Sequence, residues 1–183
     1  MKSQQFVQHF LDVEVSKEAM PKAKLALLDY VSASLWARDS PELHQLKKAY
    51  SEQLVGDCVL IGDERTASSS FSALYNGFQA HLLDMDDTHG NVRGHPSAVL
   101  FFTLFTELPH HTGEEVLNAY VIGVEIMARL GLAVNPNHYL QGWHNTSTLG
   151  GLAATGAYAR LKKLSIEQTL TAMSIATSQA AGV

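Results

Sequence analysis

Apolar residues recur along this chain with the spacing of helices. A helix that covers one face with core returns an apolar residue every three or four positions, whereas a half-buried strand alternates every second. QQFVQHFLDVEV places Phe6, Phe10 and Leu11 on one face and predicts a short helix. SKEAMPKAKLALLDYVSASLWARDS predicts a longer one, with Ser16 as its cap, Pro21 in the first turn and an apolar face through Leu25, Leu28, Val31 and Leu35. SPELHQLKKAYSEQL opens with Ser40 at the N-cap, Pro41 at the first helical position and Glu42 behind it, a helix start. The pattern breaks at GDCVLIGDERTASSS, which reads as a short extended piece or loop. It resumes in SSSFSALYNGFQAHLLDMDD and, after Pro96, in PSAVLFFTLFTEL. Thr112 then caps GEEVLNAYVIGVEIMARLGLAV, whose Glu114 and Glu115 lie where the helix dipole favours them. HNTSTLGGLAATGAYARLKKL and SIEQTLTAMSIATSQAAGV, the second capped by Ser165, complete the series. There is no βαβ alternation, repeat or low-complexity linker. The expectation is an all-α, multi-helix bundle forming a single domain over residues 1–183.

Two details refine that expectation. Gly150, Gly151, Ala153, Ala154, Gly156 and Ala157 crowd into one predicted helix, where each glycine costs about 1 kcal/mol relative to alanine. Such a stripe predicts close packing against another helix for most of these residues, and leaves room for a ligand. The chain also stops at SQAAGV with an apolar helix still running and no polar tail, so a truncation is expected.

Size and charge narrow the function. The chain has 183 residues, 46% of them apolar, enough for one well-formed core. A formal charge of −5 argues against a nucleic-acid partner, which needs a basic face. The single cysteine, Cys58, excludes an internal disulfide and a cysteine-based zinc site. MKSQQFVQHFLDVEV lacks the apolar core of a signal peptide, and no apolar run reads as long enough to span a membrane. A cytoplasmic protein without a membrane partner is expected.

The chemistry concentrates in HLLDMDDTHGNVRGHPS, residues 81–97, with three carboxylates, three imidazoles and an arginine. Asp84, Asp86 and Thr88 have the D-x-D-x-T spacing of a phosphoryl-transfer nucleophile loop. That loop belongs at the end of a buried parallel strand, yet the preceding residues keep a helical period through Leu74, Phe78 and Leu82. Asp84, Asp86, Asp87, His89 and His95 offer metal ligands, but successive carboxylates on a helix point apart, so no metal is expected. A metal-free acid/base site fits better. Asp84 ends a helix, and Asp87 or Thr88 can cap the next element. Arg93 and His95 lead into the N-terminus of the helix opened by Pro96, where free N–H groups attract anions. Arg93 adds a bidentate carboxylate partner, and Asp84 and His95 stand where a proton can be moved. His144, just before the small-residue helix, makes the same offer in QGWHNTSTLGG. The plainer alternative is a loop of caps and surface charges with His95 hydrogen-bonded in the core.

These stretches resemble the MmgE/PrpD family, which includes 2-methylcitrate dehydratase, cis-aconitate decarboxylase and iminodisuccinate epimerase. The resemblance rests on NGFQAHLLDMDDTH, GHPSAVL, GWHNTSTLGGLAATGAYARLKKLS and SIATSQAAG, and runs from about Ala23 to Val183. It implies the family's large helical domain without the lysine-bearing segment and α+β domain found further along longer members. It also implies a cofactor-free, dehydratase-like lyase acting on a small di- or tricarboxylate such as 2-methylcitrate, in a homodimer. Carried over, the site residues are Asp84, Thr88, His95 and His144. His95 or His144 would transfer protons, Asp84 would orient one of them, and Thr88 and Arg93 would hold carboxylate oxygens. An epimerase or decarboxylase reuses the same parts. Two positions depart from the family's pattern: Ala98 replaces a glycine common after H-P-S, and the loop between Thr88 and His95 is one residue longer than in the decarboxylases. The competing expectation is a helical binding or dimerisation domain that does no chemistry alone.

Overall fold

The computed structural model describes residues 2–181. Among them, the chain forms nine α-helices and one small hairpin, as an all-α bundle requires. In order these are α1 (Lys2–Asp12), α2 (Ala19–Ala37), α3 (Pro41–Ala49), α4 (Ser69–His81), α5 (Pro96–Phe105), α6 (Gly113–Val134), the single-turn α7 (Asn137–Leu140), α8 (Asn145–Leu161) and α9 (Ile166–Gln179). Between α3 and α4, β1 (Cys58–Val59) pairs antiparallel with β2 (Thr66–Ala67). Side chains cap three of the helix starts, α4, α6 and α9, while Ser40 stands at the N-cap of α3 without a side-chain bond. Thr112 Oγ1 accepts from the Glu115 N–H at 3.3 Å while the Glu115 carboxylate accepts from the Thr112 N–H at 2.9 Å. Ser165 and Gln168 make the same reciprocal pair at the start of α9. Ser16 lies outside α2: its hydroxyl accepts from the Glu18 N–H, and Glu18 holds the N-cap position.

The core is built around α6, which packs on α8, α5 and α2. Leu100, Phe101, Leu104, Ile126, Met127, Ala153 and Ala157 are all sealed from solvent. Phe101 stacks on Tyr120 with ring centroids 4.1 Å apart and planes within 6°. The small residues of α8 explain how it lies so close. A Cβ on Gly156 would stand 2.4 Å from the end of Ile126, and one on Gly150 would stand 2.9 Å from Val99. Packing therefore accounts for most of the stripe, while Gly151 faces open space. At 22 residues α6 is long and apolar enough to pass as a membrane span, contrary to the sequence reading. Its apolar window is 56% buried inside the bundle, as expected of a core helix.

The apolar face of α2 is the other departure. Leu25 and Leu28 are 66% and 63% exposed, with Trp36 beside them at 77%. The helix instead buries Ala23, Tyr30, Ala33, Ser34 and Ala37. Short side chains let α2 approach α4, and backbone polarity is satisfied across the contact: the Gln79 amide donates to the Ser34 carbonyl at 2.7 Å. Periodicity found an apolar stripe on α2, but the covered stripe is the one whose small residues permit close approach. The difference is measurable by urea unfolding. Leu104→Ala should lower stability by about 2–5 kcal/mol, whereas Leu28→Ala should change it by less than about 0.5 kcal/mol.

Candidate active site

Helix α4 ends at His81, short of the carboxylate run. The Asp84 N–H closes the turn on the His81 carbonyl at 3.2 Å, and Asp84 takes a left-handed backbone with φ 53°. Asp and Asn adopt this conformation more readily than other side chains. The three aspartates therefore leave the helix and enter a loop. No parallel strand leads into Asp84, so the phosphoryl-transfer reading lacks its scaffold.

The loop is held from several sides. His89 and Gly94 form an antiparallel bridge, the His89 N–H donating to the Gly94 carbonyl at 3.1 Å. Arg93 closes it with an N–H to the His89 carbonyl at 2.8 Å and its own left-handed φ of 55°. The Val92 side chain is fully buried, which drags its carbonyl away from water. Asn145 answers it: its amide donates to the Val92 carbonyl at 2.6 Å and to Asn135 Oδ1 at 3.0 Å. Asn135 in turn donates to the Asn91 carbonyl at 3.0 Å. The loop backbone also lies directly on two helices. A Cβ on Gly131 of α6 would stand 2.3 Å from the Asn91 oxygen, and one on Gly94 would stand 2.7 Å from Thr146 Oγ1 of α8. The His95 N–H donates to that same Thr146 hydroxyl at 3.0 Å.

This clamp brings three imidazoles together. The His81 ring lies 4.6 Å from that of His95 and 6.4 Å from that of His144, centroid to centroid. Asp86 is the buried partner, with a fully sealed side chain. Its Oδ1 lies 2.9 Å from His81 Nδ1, a hydrogen bond, and 3.4 Å from His95 Nδ1, a contact without hydrogen-bond alignment. Asp84, with a side chain 78% exposed, reaches the other side of the same ring, its Oδ1 3.5 Å from His95 Nε2. His95 thus stands between two carboxylates, one buried and one wet.

Asp87 does something else. It accepts from the Ser97 N–H at 3.1 Å and from the Ser97 hydroxyl at 2.7 Å, so it caps α5 from a distance, in the role the sequence allowed it. The N-terminus of α5, expected to receive a substrate anion, is thereby already occupied by a carboxylate. Burial raises the Asp87 pKa against the opposing pull of the Ser97 hydrogen bonds, and neighbouring Asp86 adds to the rise.

Of the residues singled out from sequence, Thr88, Arg93, His95 and His144 line one open cavity of about 500 Å³, with Tyr139 across from them. The Arg93 guanidinium lies over the Tyr139 ring, 5.6 Å from its centroid. Asp84 meets this set through His95. His95 and His144 each occupy the residue before a helix, α5 and α8, and neither side chain caps its helix. A second cavity of about 440 Å³ opens on the other side of His144, walled by Gly77, Ala98, Val99, Phe102 and Gly151. Sequence reasoning assigned no role to His81, Asn145, Asn135 or Tyr139, and weighed Asp86 only in the phosphoryl-transfer and metal readings, not in the acid/base site. Asp86 was masked because D-x-D-D offers three carboxylates and only the chain's exit from α4 decides which one is buried.

Residues 4–183 match the family model described as the MmgE/PrpD N-terminal domain. The cis-aconitate decarboxylase-like protein oryM of Aspergillus oryzae is 29% identical over 181 residues, covering 93% of this chain and 38% of that protein. Human cis-aconitate decarboxylase is 26% identical over 176 residues, covering 91% of this chain and 36% of that enzyme. The Aspergillus terreus cis-aconitate decarboxylase is 24% identical, covering 93% and 36%. The chain thus spans little more than a third of the length of these relatives.

Two outcomes test the clamp and the cap. Asn145→Leu should lower stability by about 1–3 kcal/mol in urea unfolding, because the Val92 carbonyl is left without its best donor. Asp87 binds its proton more tightly in the folded chain than in the unfolded one. Its ionised form therefore costs stability above the folded pKa, and that cost vanishes as pH falls below the unfolded value of about 3.9. Asp87→Asn should raise the melting temperature at neutral pH, with the gain shrinking as pH is lowered towards about 4.

Proposed function

The chain belongs to the MmgE/PrpD family, and from that premise we propose that it carries the acid/base half of a cofactor-independent lyase site for a small di- or tricarboxylate. The observation that supports this most is the placing of His95, His144, Thr88 and Arg93 around one cavity, with Asp84 and Asp86 against His95. Losing water or carbon dioxide from a polycarboxylate builds negative charge on carbon next to a carboxylate. Such a site needs a proton carrier that titrates near neutrality, which imidazole supplies, and fixed positive ends that hold the charge. His95 or His144 moves the proton, and Asp84 orients His95. Arg93, the Thr88 hydroxyl and the N-terminus of α8 hold carboxylate oxygens.

In a dehydration, the base takes the α-proton and the hydroxyl leaves as water with a proton from the acid. In a decarboxylation, the C–C bond to the departing carboxylate breaks, the electron pair stays on carbon, and an imidazolium returns a proton there as CO₂ leaves. The relatives' names support a reading in which decarboxylation of an unsaturated tricarboxylate, as with cis-aconitate, ranks ahead of dehydration of 2-methylcitrate. A second reading, a helical binding or dimerisation domain, draws on the exposed α2 stripe of Leu25, Leu28 and Trp36. A homodimer seated there is compatible with a lyase.

The test is turnover in the full-length context. With cis-aconitate and 2-methylcitrate as substrates, ¹³C NMR separates CO₂ release from water loss. Asp84→Asn keeps a residue suited to the left-handed backbone and removes only the charge, so it isolates the carboxylate. Asp84→Asn and His144→Ala should each lower kcat by roughly 10²–10⁴-fold. Near-wild-type rates in both variants would sink the assignment.

A further inference from the structure

His81, Asp84, Asp86 and His95 each place one ligand-type atom within 4.8 Å of the other three. We propose that this cluster is a binding site for a divalent transition metal of the Zn²⁺ type, and that the bound metal silences His95 for proton transfer. Two imidazoles with two carboxylates suit zinc and its neighbours, whereas magnesium and calcium prefer oxygen alone. Zinc bonds of about 2.0–2.2 Å to nitrogen and oxygen set tetrahedral ligands roughly 3.4 Å apart. Asp86 Oδ1 already lies 2.9 Å and 3.4 Å from the Nδ1 atoms of His81 and His95. Asp84 is the fourth ligand, and its exposed side chain is free to swing inwards.

An independent observation points to a cation. The Asp86 side chain is completely buried, yet its Oδ2 has no hydrogen-bond partner. Among the described residues its charged-group contacts are two histidines and no lysine or arginine. A sealed carboxylate with so little compensation is costly, and a doubly charged ion beside it removes that cost. The geometric objection from sequence also falls away. Carboxylates two apart diverge on a helix, but Asp84 and Asp86 sit beyond the end of α4, and the turn at Asp84 lets both face His95.

The site can be tested on the chain itself. Zn²⁺ alone is titrated calorimetrically into the untagged chain after chelator treatment. One ion per chain with a micromolar Kd is expected. His81→Ala and His95→Ala should each weaken binding roughly tenfold or more. Asp84→Asn, at an exposed position that leaves the core intact, should weaken it several-fold. His110→Ala, at an exposed histidine whose acidic neighbour is Asp57, should change nothing. Co²⁺ in place of Zn²⁺ should give visible absorption bands that His81→Ala abolishes. No Zn²⁺ binding, or unchanged binding in the His81→Ala/His95→Ala double variant, overturns the site. The silencing rests on the proton-transfer reading above and is tested separately: full-length turnover should fall with Zn²⁺ and recover with chelator. Tight binding with undiminished turnover would keep the metal site and overturn His95 as the proton carrier.

Discussion

The buried carbonyl of Val92 is the constraint around which the site is organised. A loop that enters a protein interior carries polar backbone groups that water can no longer reach, and each must find a partner. Burying the Val92 side chain anchors residues 89–95 to the bundle but commits their backbone to that requirement. Asn145, the first residue of α8, answers it directly, and Asn135 at the end of α6 shares the work. One amide pair thereby fixes three things together: the path of the loop, the start of α8 and the exit of α6. His95 and Arg93 lie in the loop and His144 immediately before α8. Their mutual placement derives from a backbone hydrogen-bond requirement before any substrate is considered.

That dependence explains what could be read from the chain and what could not. Helices with a cap chemistry of their own, such as α6 behind Thr112 and α9 behind Ser165, were legible because the signal is local. The buried side of α2 was not, because Leu25 and Leu28 form a stripe as good as any in the chain. What covers Tyr30 and Ala33 instead is decided by α4 and α5, which are remote in sequence. Within the site, Asp84, Thr88, Arg93, His95 and His144 were singled out from spacing and resemblance. Asp86 was weighed only as a phosphoryl-transfer residue or metal ligand, because its place beside the imidazoles depends on where α4 stops. A helical reading through residue 87 spreads the carboxylates around a cylinder. The actual end at His81 folds them back on the imidazoles.

Two residues here keep a left-handed backbone without being glycine, Asp84 and Arg93. Both precede His95 in the same loop, and both contribute side chains that glycine would remove. Such conformations cost of order 1–3 kcal/mol each and persist where the surroundings over-determine them. The surroundings do so: the His89–Gly94 bridge and the asparagine pair hold the loop, and the helical turn at His81 holds Asp84. The third left-handed residue, Lys163, lies just past α8, where helix C-termini adopt this turn routinely. A helix end accounts for Lys163 and, in the turn that closes α4, for Asp84, whereas Arg93 keeps the conformation inside the loop that lines the cavity.

The carboxylates divide their work by solvation. Asp87 is spent on capping α5, and burial without a cation pushes its proton affinity up. Asp86 is sealed in against two imidazoles: its hydrogen bond holds the His81 ring, and His95 feels its charge through low-dielectric protein. Asp84, in water, exerts a weaker field on His95 and can leave and return as the side chain moves. A histidine with a buried carboxylate 3.4 Å from one nitrogen and a mobile one 3.5 Å from the other can both be oriented and exchange protons. A proton carrier next to a polycarboxylate needs both properties. The arrangement also explains why the same four side chains would receive a metal ion: they gather negative charge and imidazole nitrogen at one point, with no lysine or arginine paired to Asp84 or Asp86 among the described residues.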